Sequence, residues 1–350
     1  MAKTLRPFLD LLPFHLDQRF AGPALRRLRI KHRRKVPKAT VPAIPRQARR
    51  MYVDLAVISR HDAGTGIQRV VRALALALAK TPGERWDVRF VAGDRRHPYH
   101  VISWPYRVEA IDRTPIVARP GDVFIGLDFS LDTVRFHRRQ LSHFRRAGGS
   151  LWFLVCDLLP AERPEWFSAN NVLRYKAWLE IIAGIADGFL CISQQTEGDL
   201  RRVLAERFGL EEGYATRIVP MGHAILDSML QEAAAAAPPT SRFDMTQPFS
   251  LMVGTLEPRK GHADVIAAFS ELWLQGSQHR LVLVGRMGWK IEMLRDAIRN
   301  HPEHGDKLLW FDDVGDLELE QIYQACEGVI VASHAEGFGL PLIEALGHFK

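Results

Sequence analysis

Only three cysteines, Cys156, Cys191 and Cys326, occur in 350 residues, far apart and in apolar surroundings. They form neither a C-x-x-C pair nor a metal-ligand cluster, which excludes a disulfide framework and a thiolate zinc site. Buried thiols of a reducing compartment are the expectation. No uninterrupted apolar run approaches the roughly 18 residues of a membrane span, and no charged segment followed by an apolar stretch and small-residue cleavage site opens the chain. A cytosolic protein without a span is expected. Internal repeats are absent, and the five alanines at 233–237 are the only low-complexity tract.

Acidic side chains are scarce at one end. Residues 1–50 hold 14 Lys/Arg against only Asp10 and Asp17, whereas the remaining 300 residues carry 33 basic and 38 acidic side chains. This predicts a basic arm over 1–50. Leu5, Phe8, Leu9, Leu12, Leu16 and Phe20 would give it an apolar side, and Arg26, Arg27, Arg29, Lys31, Arg33, Arg34 and Lys35 the charged part. Such an arm suits an anionic membrane surface, at about 1 kcal/mol per basic residue near an acidic bilayer, or is a solvated tail. Nucleic acid is not expected as a partner. Preceding the first strand, the arm should add little to either core.

What the sequence has in quantity is alternation. Short apolar runs at 51–58, 88–92, 123–127, 151–155 and 189–192 are separated by helical patterns such as 67–78, 134–146 and 172–186. Strands alternating with helices imply a parallel sheet covered on both faces. The alanine run and Pro238-Pro239 break the texture, because a helix rarely survives a double proline. Alternation then restarts with strands at 249–253, 280–284, 307–310 and 328–332 and helices at 263–273, 291–299 and 317–326. The expected division is a basic arm 1–50, a first domain 51–231, a linker 232–248 and a second domain 249–350, with a ligand cleft between two α/β domains.

Three segments carry candidate chemistry. Gly64 and Gly66 lie between a strand and a helix, where backbone N–H groups can approach a phosphate; the same glycines would equally serve a bare turn. Gly254 opens a loop with Arg259 and Lys260 at the carboxyl end of a strand, where compact positive charge suits a diphosphate, or forms a solvated basic turn. Glu336 and Glu344 flank Gly337-Phe338-Gly339-Leu340-Pro341. Pro341 suits the first turn of a helix, Glu344 is expected in that first turn, and the glycines keep the backbone slim enough to face a sugar or phosphate. The two carboxylates are expected to converge on one loop.

On these residues the chain resembles the retaining GT-B glycosyltransferases of family 4, the glycosyl transferases group 1. The resemblance spans roughly 51–350 and rests on GTGIQRVVR (64–72), CDLLP (156–160), SQQTEGDL (193–200), GTLEPRKG (254–261), LVLVGRMGW (281–289) and the E-x7-E element Glu336–Glu344. Its texture is that of bacterial mannosyltransferase-like enzymes of surface polysaccharide synthesis. The resemblance implies an α/β GT-B fold, two Rossmann-like domains facing a cleft. It implies a nucleotide-sugar donor such as GDP-mannose and a lipid-linked or growing glycan acceptor, on the inner face of the cytoplasmic membrane. Glu336 would bind the donor sugar near the reacting face and Glu344 the ribose. Arg259 and Lys260 would hold the diphosphate, with Gly64 and Gly66 closing over it and Arg286 near the nucleobase. No metal or other cofactor is then required, in keeping with the absence of a D-x-D pair.

The chain departs from the family in three places. Thr255 stands where many relatives have Arg, and Cys156 precedes Asp157 where many have His. A thiol replaces an imidazole poorly as a hydrogen-bonding group, so Asp157 is the remaining acceptor-side catalytic candidate. Family members also continue past Lys350, so the second domain is expected to be C-terminally incomplete. The alternative is a truncated, non-catalytic nucleotide-sugar or glycan-binding protein.

Overall fold

The structure, a computed structural model, describes residues 22–34, 48–62, 64–80, 85–105, 112–219, 238 and 242–348. The apolar side proposed for residues 5–20 and most of the 232–248 linker lie outside the described residues. The rest falls into two compact units, one within Met1–Glu162 and Ala169–Val219, the other within Arg163–Ser168 and Pro220–Lys350.

The first unit is built on seven strands: β1 (Arg49–Asp54), β2 (Trp86–Ala92), β3 (His100–Val101), β4 (Val123–Gly126), β5 (Ser150–Val155), β6 (Gly188–Cys191) and β7 (Ala215–Ile218). Their order is β3-β2-β1-β4-β5-β6-β7, all parallel except β3. Helices α1 (Pro23–Arg34), α2 (Gly66–Lys80), α3 (Leu131–Phe136), α4 (Arg138–Arg146), the short α5 (Leu159–Glu162), α6 (Ala169–Ile185) and α7 (Gln194–Phe208) accompany the sheet. Tyr52, Phe124, Leu141, Phe144, Phe153, Ile182 and Phe189 share one core.

Helix α1 overturns the expectation that residues 1–50 contribute little to either core. Ile30 is only 2 % exposed and belongs to the core of the first unit. Four of the basic residues of this helix bind groups of the first unit. Arg29 and Arg26 lie 3.7 and 3.8 Å from the buried carboxylate of Glu180. Arg27 donates to the carbonyl of Glu206 (2.9 Å), and Arg34 to those of Ala183 (2.8 Å), Ala186 (3.0 Å) and Gly213. The carbonyls of Ala183 and Ala186 mark the C-terminal end of α6, where a cation meets the negative pole of the helix. Composition registers the charge of these side chains but not the acceptors that fold around them.

Two further boundaries differ from the pattern. The apolar run 51–58 is not one strand: β1 stops at Asp54, whose Oδ1 accepts the N–H of Ala56 (2.9 Å), while Asp128 accepts those of Val57 and Ile58 (2.6 and 2.8 Å). Leu55, Ala56 and Ile58 are apolar because they are buried in a loop. The pattern at 134–146 becomes two helices, broken at His137.

The second unit holds β8 (Phe249–Val253), β9 (Arg280–Val284), β10 (Leu308–Phe311) and β11 (Gly328–Val329), parallel in the order β10-β9-β8-β11. Helices α8 (His262–Leu274), α9 (Glu292–Arg299), α10 (Asp316–Ala325) and α11 (Leu340–Gly347) accompany them. In β9, Leu281 and Leu283 enter one core while Val282 and Val284 enter the other. A strand buried on both faces reads as a continuous apolar run, which is why 280–284 was legible. The pattern at 328–332 is strand only at its start; the N–H of Ile330 reaches Leu251 (2.8 Å) and the chain then leaves the sheet.

Candidate active site

In the second sheet the strand order reverses between β8 and β11, the place where open α/β sheets hold ligands beyond the carboxyl ends of their strands. The two loops that leave those strands carry Arg259, Lys260 and Glu336. Gly261 ends the first loop with φ +75°, and a Cβ there would lie 2.2 Å from the carbonyl oxygen of Ala332, so only glycine permits this approach. The N–H of His334 donates to the carbonyl of Arg259 (2.8 Å) and fixes the loops to each other.

This geometry unites groups that the sequence assigned to different parts of a donor. Glu336 accepts hydrogen bonds from Arg259 Nη1 (3.0 Å), Ser333 Oγ (2.7 Å) and Lys260 Nζ. Arg259 also donates to Glu257 (2.9 Å) and to the carbonyl of Ala335 (3.2 Å). Burial pushes the Glu336 carboxyl up, but the Lys260 charge and the bonds from Lys260 and Ser333 outweigh it and hold it below the ordinary range. In Glu257 burial wins over the same two cations and raises the carboxyl. Next along the chain, the buried His262 is lowered to about 4, by burial first and by Lys260 second, so its imidazole is neutral at pH 7. Two cations and two carboxylates thus form a self-compensated cluster.

The neighbouring loop is held close by Gly285. A Cβ there would stand 1.9 Å from the carbonyl oxygen of Gly254, and the N–H of Gly254 bonds Val284 (2.9 Å). Arg286 is exposed on this loop. Gly337 and Phe338 are partly exposed, Gly339 is buried with φ +85°, and α11 starts after it. Glu344 is the fifth residue of that helix, not part of its first turn, and it does not join Glu336 on one loop. It is 3 % exposed and accepts a hydrogen bond from Tyr323 Oη (2.7 Å) on α10. The helix turns it inward, because its second turn packs on the sheet unit.

In the first unit, Gly64 is exposed with φ +66° and Gly66 opens α2. Gln68 braces the loop by donating to the carbonyl of His61 (2.9 Å). Asp157 follows β5 and is partly buried, with Oδ1 accepting the N–H of Leu159 (3.1 Å). Burial, and then the Asp157 charge, push the Cys156 thiol up to about 12, which leaves it protonated and inert at neutral pH. Among the described residues no cluster of three or more His, Cys, Asp or Glu is placed to hold a metal ion.

The sequence reading missed a group at the other strand reversal, between β1 and β4. Asp54 is fully buried and accepts from Ala56 N–H, Tyr99 Oη (2.9 Å) and Ser130 Oγ (2.5 Å). Burial, reinforced by the nearby Asp128, raises its carboxyl to about 7. A lone Asp closing an apolar strand, MYVD, was the available signal. The folded value lies above the unfolded one, so the neutral form is favoured: the stabilisation is complete below about pH 4 and is lost as pH rises to about 7. Asp54→Asn is expected to keep the acceptor for Ala56 and to flatten this decline, gaining on the parent by about 1 kcal/mol or more between pH 4 and 8. Urea unfolding at both pH values checks it; parallel pH profiles would refute a titrating Asp54.

Residues 235–347 match the sequence profile of the family described as glycosyl transferases group 1. Over 313 residues the chain is 34 % identical to the serotype-specific mannosyltransferase WbdA of Escherichia coli, covering 86 % of this chain and 37 % of that protein. The chain therefore spans little more than a third of the curated relative it matches. Sucrose-phosphate synthase of Thermosynechococcus elongatus superposes with a TM-score of 0.57 at 20 % identity, over 86 % of this chain and 79 % of that one. Anabaena HepE, solved with UDP-glucose, superposes with a TM-score of 0.51 at 15 % identity, over 86 % and 79 %. The fold is thus that of the GT-B glycosyltransferases. No helix among the described residues is long and apolar enough to cross a membrane.

Proposed function

We propose that the chain transfers a sugar, mannose by analogy with WbdA, from a nucleotide diphosphate donor to a lipid-linked or growing glycan with retention of configuration, in bacterial surface polysaccharide synthesis. The observation that carries this reading is the Arg259–Lys260–Glu336 cluster at the strand reversal of a group 1 domain. Without donor, Glu336 occupies both cations. A diphosphate competes for Arg259 and Lys260 through charge-assisted bonds and frees the carboxylate to accept a hydroxyl of the donor sugar. As the bond to the anomeric carbon breaks, negative charge grows on the leaving phosphate, and the two cations offset it. That role makes a divalent metal unnecessary. Asp157 serves the acceptor hydroxyl, in a chain working at the cytoplasmic face of the membrane, and Glu344 serves the ribose only by exchanging its bond to Tyr323 for one to the donor.

Mass spectrometry of a mannose-terminated oligosaccharide incubated with the chain and GDP-mannose or UDP-glucose, in EDTA, tests the proposal. A hexose-extended product is expected; donor binding without extension would favour a binding protein. Lys260→Ala is expected to weaken binding of free nucleoside diphosphate about tenfold to hundredfold, the loss of one charge-assisted contact of about 1.5 to 3 kcal/mol. Calorimetry showing an unchanged affinity would leave the basic pair without a phosphate role.

A further inference from the structure

We propose that Phe129, Asp157 and the Asp132–Arg174 pair form a subsite on the first unit for one uncharged pyranose ring of the glycan acceptor. The inference rests on the transfer reading for the word acceptor; the subsite itself rests on the side chains. Phe129 follows β4 at the carboxyl edge of the first sheet, beside the reversal of strand order. It is 36 % exposed, whereas the two aromatics that support it, Tyr175 and Trp178, are buried. Its ring centroid lies 6.0 Å from each, and theirs are 5.3 Å apart. The open part of the ring is therefore backed by a packed aromatic group and cannot turn away without losing those contacts.

The backbone of Phe129 is fixed as well. Its N–H donates to Asp128 Oδ1 (2.8 Å), and the other oxygen of Asp128 is held by Val57 and Ile58. Tyr175 ties the aromatic group to the loop that carries Asp157, because its hydroxyl donates to the backbone carbonyl of that residue (2.7 Å). Asp132, three residues after Phe129, pairs with Arg174 (2.8 Å), the neighbour of Tyr175, and with Arg135 (3.2 Å).

A pyranose has a face of C–H groups and a rim of hydroxyls. The first fits an exposed aromatic ring, and the second fits carboxylates and a guanidinium that make planar, paired hydrogen bonds. Asp132 is balanced by Arg174 and Arg135, so the rim offers paired donors and acceptors without a free cation for a phosphate, which suits the hydroxyls of an uncharged sugar better than a nucleotide.

The test is ligand-observed NMR on the whole chain with α-methyl mannoside, and with GDP and UDP as separate probes. The parent and Phe129→Trp are expected to bind the glycoside, Phe129→Ala to bind it about tenfold more weakly, and all three to bind the nucleotides equally. Asp157→Asn, checked by circular dichroism, should also weaken the glycoside and serves if Phe129→Ala does not fold. No glycoside binding by the parent, equal binding by Phe129→Ala, or loss of nucleotide binding in Phe129→Ala would each overturn the subsite. Glycoside binding that depends on Phe129 in a chain that transfers no sugar would leave the subsite standing and remove the transfer reading instead.

Discussion

Glu336→Gln is expected to lower turnover about a hundredfold to a thousandfold while binding free nucleoside diphosphate at least as tightly as the parent. The amide keeps the size of the side chain and its contact with Ser333 Oγ, so the loops need not move. What it removes is the charge that faces Arg259 and Lys260. Their positive charge is then less compensated before the donor arrives, which favours the diphosphate. The sugar loses a charged acceptor whose bond strengthens as the transition state forms, a contribution of about 3 to 4 kcal/mol when such groups are removed elsewhere. Steady-state rates with the nucleotide sugar and calorimetry with the free nucleotide separate the two effects. An unchanged rate would take Glu336 out of the mechanism, and weaker nucleotide binding would show that the carboxylate supports the cations more than it occupies them.

The second large effect is on stability. Removing residues 1–34 takes away α1, exposes the surface that Ile30 covers and leaves Glu180 buried without Arg26 and Arg29. Reburial of an isoleucine is worth about 1.5 to 3 kcal/mol, and stranding one member of a buried ion pair costs about 3 to 5 kcal/mol. The sum is a large share of the stability of an ordinary domain, so a chain that aggregates or unfolds at much lower urea is expected. Arg29→Ala should show part of the loss, and adding Glu180→Leu should restore much of it by removing the stranded charge. A truncated chain that unfolds at the midpoint of the parent would show that α1 is not part of the core.

Where the sequence was legible, the physics was local. The strand 249–253 and the strand 280–284 appeared at their observed limits, because both faces of these strands are buried and, apart from Ser250 and Arg280, their positions are apolar. It failed where a side chain many residues away decides the backbone. Asp128 holds the N–H groups of Val57 and Ile58, so an apolar run became a buried loop. The carboxylates Glu336 and Glu344 illustrate the same limit within the site. Their spacing in the chain was visible, but Arg259, Lys260 and Ser333 determine the surroundings of one, and Tyr323 those of the other.

By itself the sequence determined two successive α/β patterns, the loops that leave their strands, and the charged residues on those loops, since apolar periodicity and turn residues act over a few positions. The tertiary structure alone decided which charges meet. It spent Arg26, Arg27, Arg29 and Arg34 inside the first unit, merged Arg259, Lys260 and Glu336 into one compensated cluster, and set Phe129 on Tyr175 beside Asp157. Electrostatic and aromatic partners are chosen by distance in space, and a parallel sheet brings together strand ends that lie dozens of residues apart in the chain.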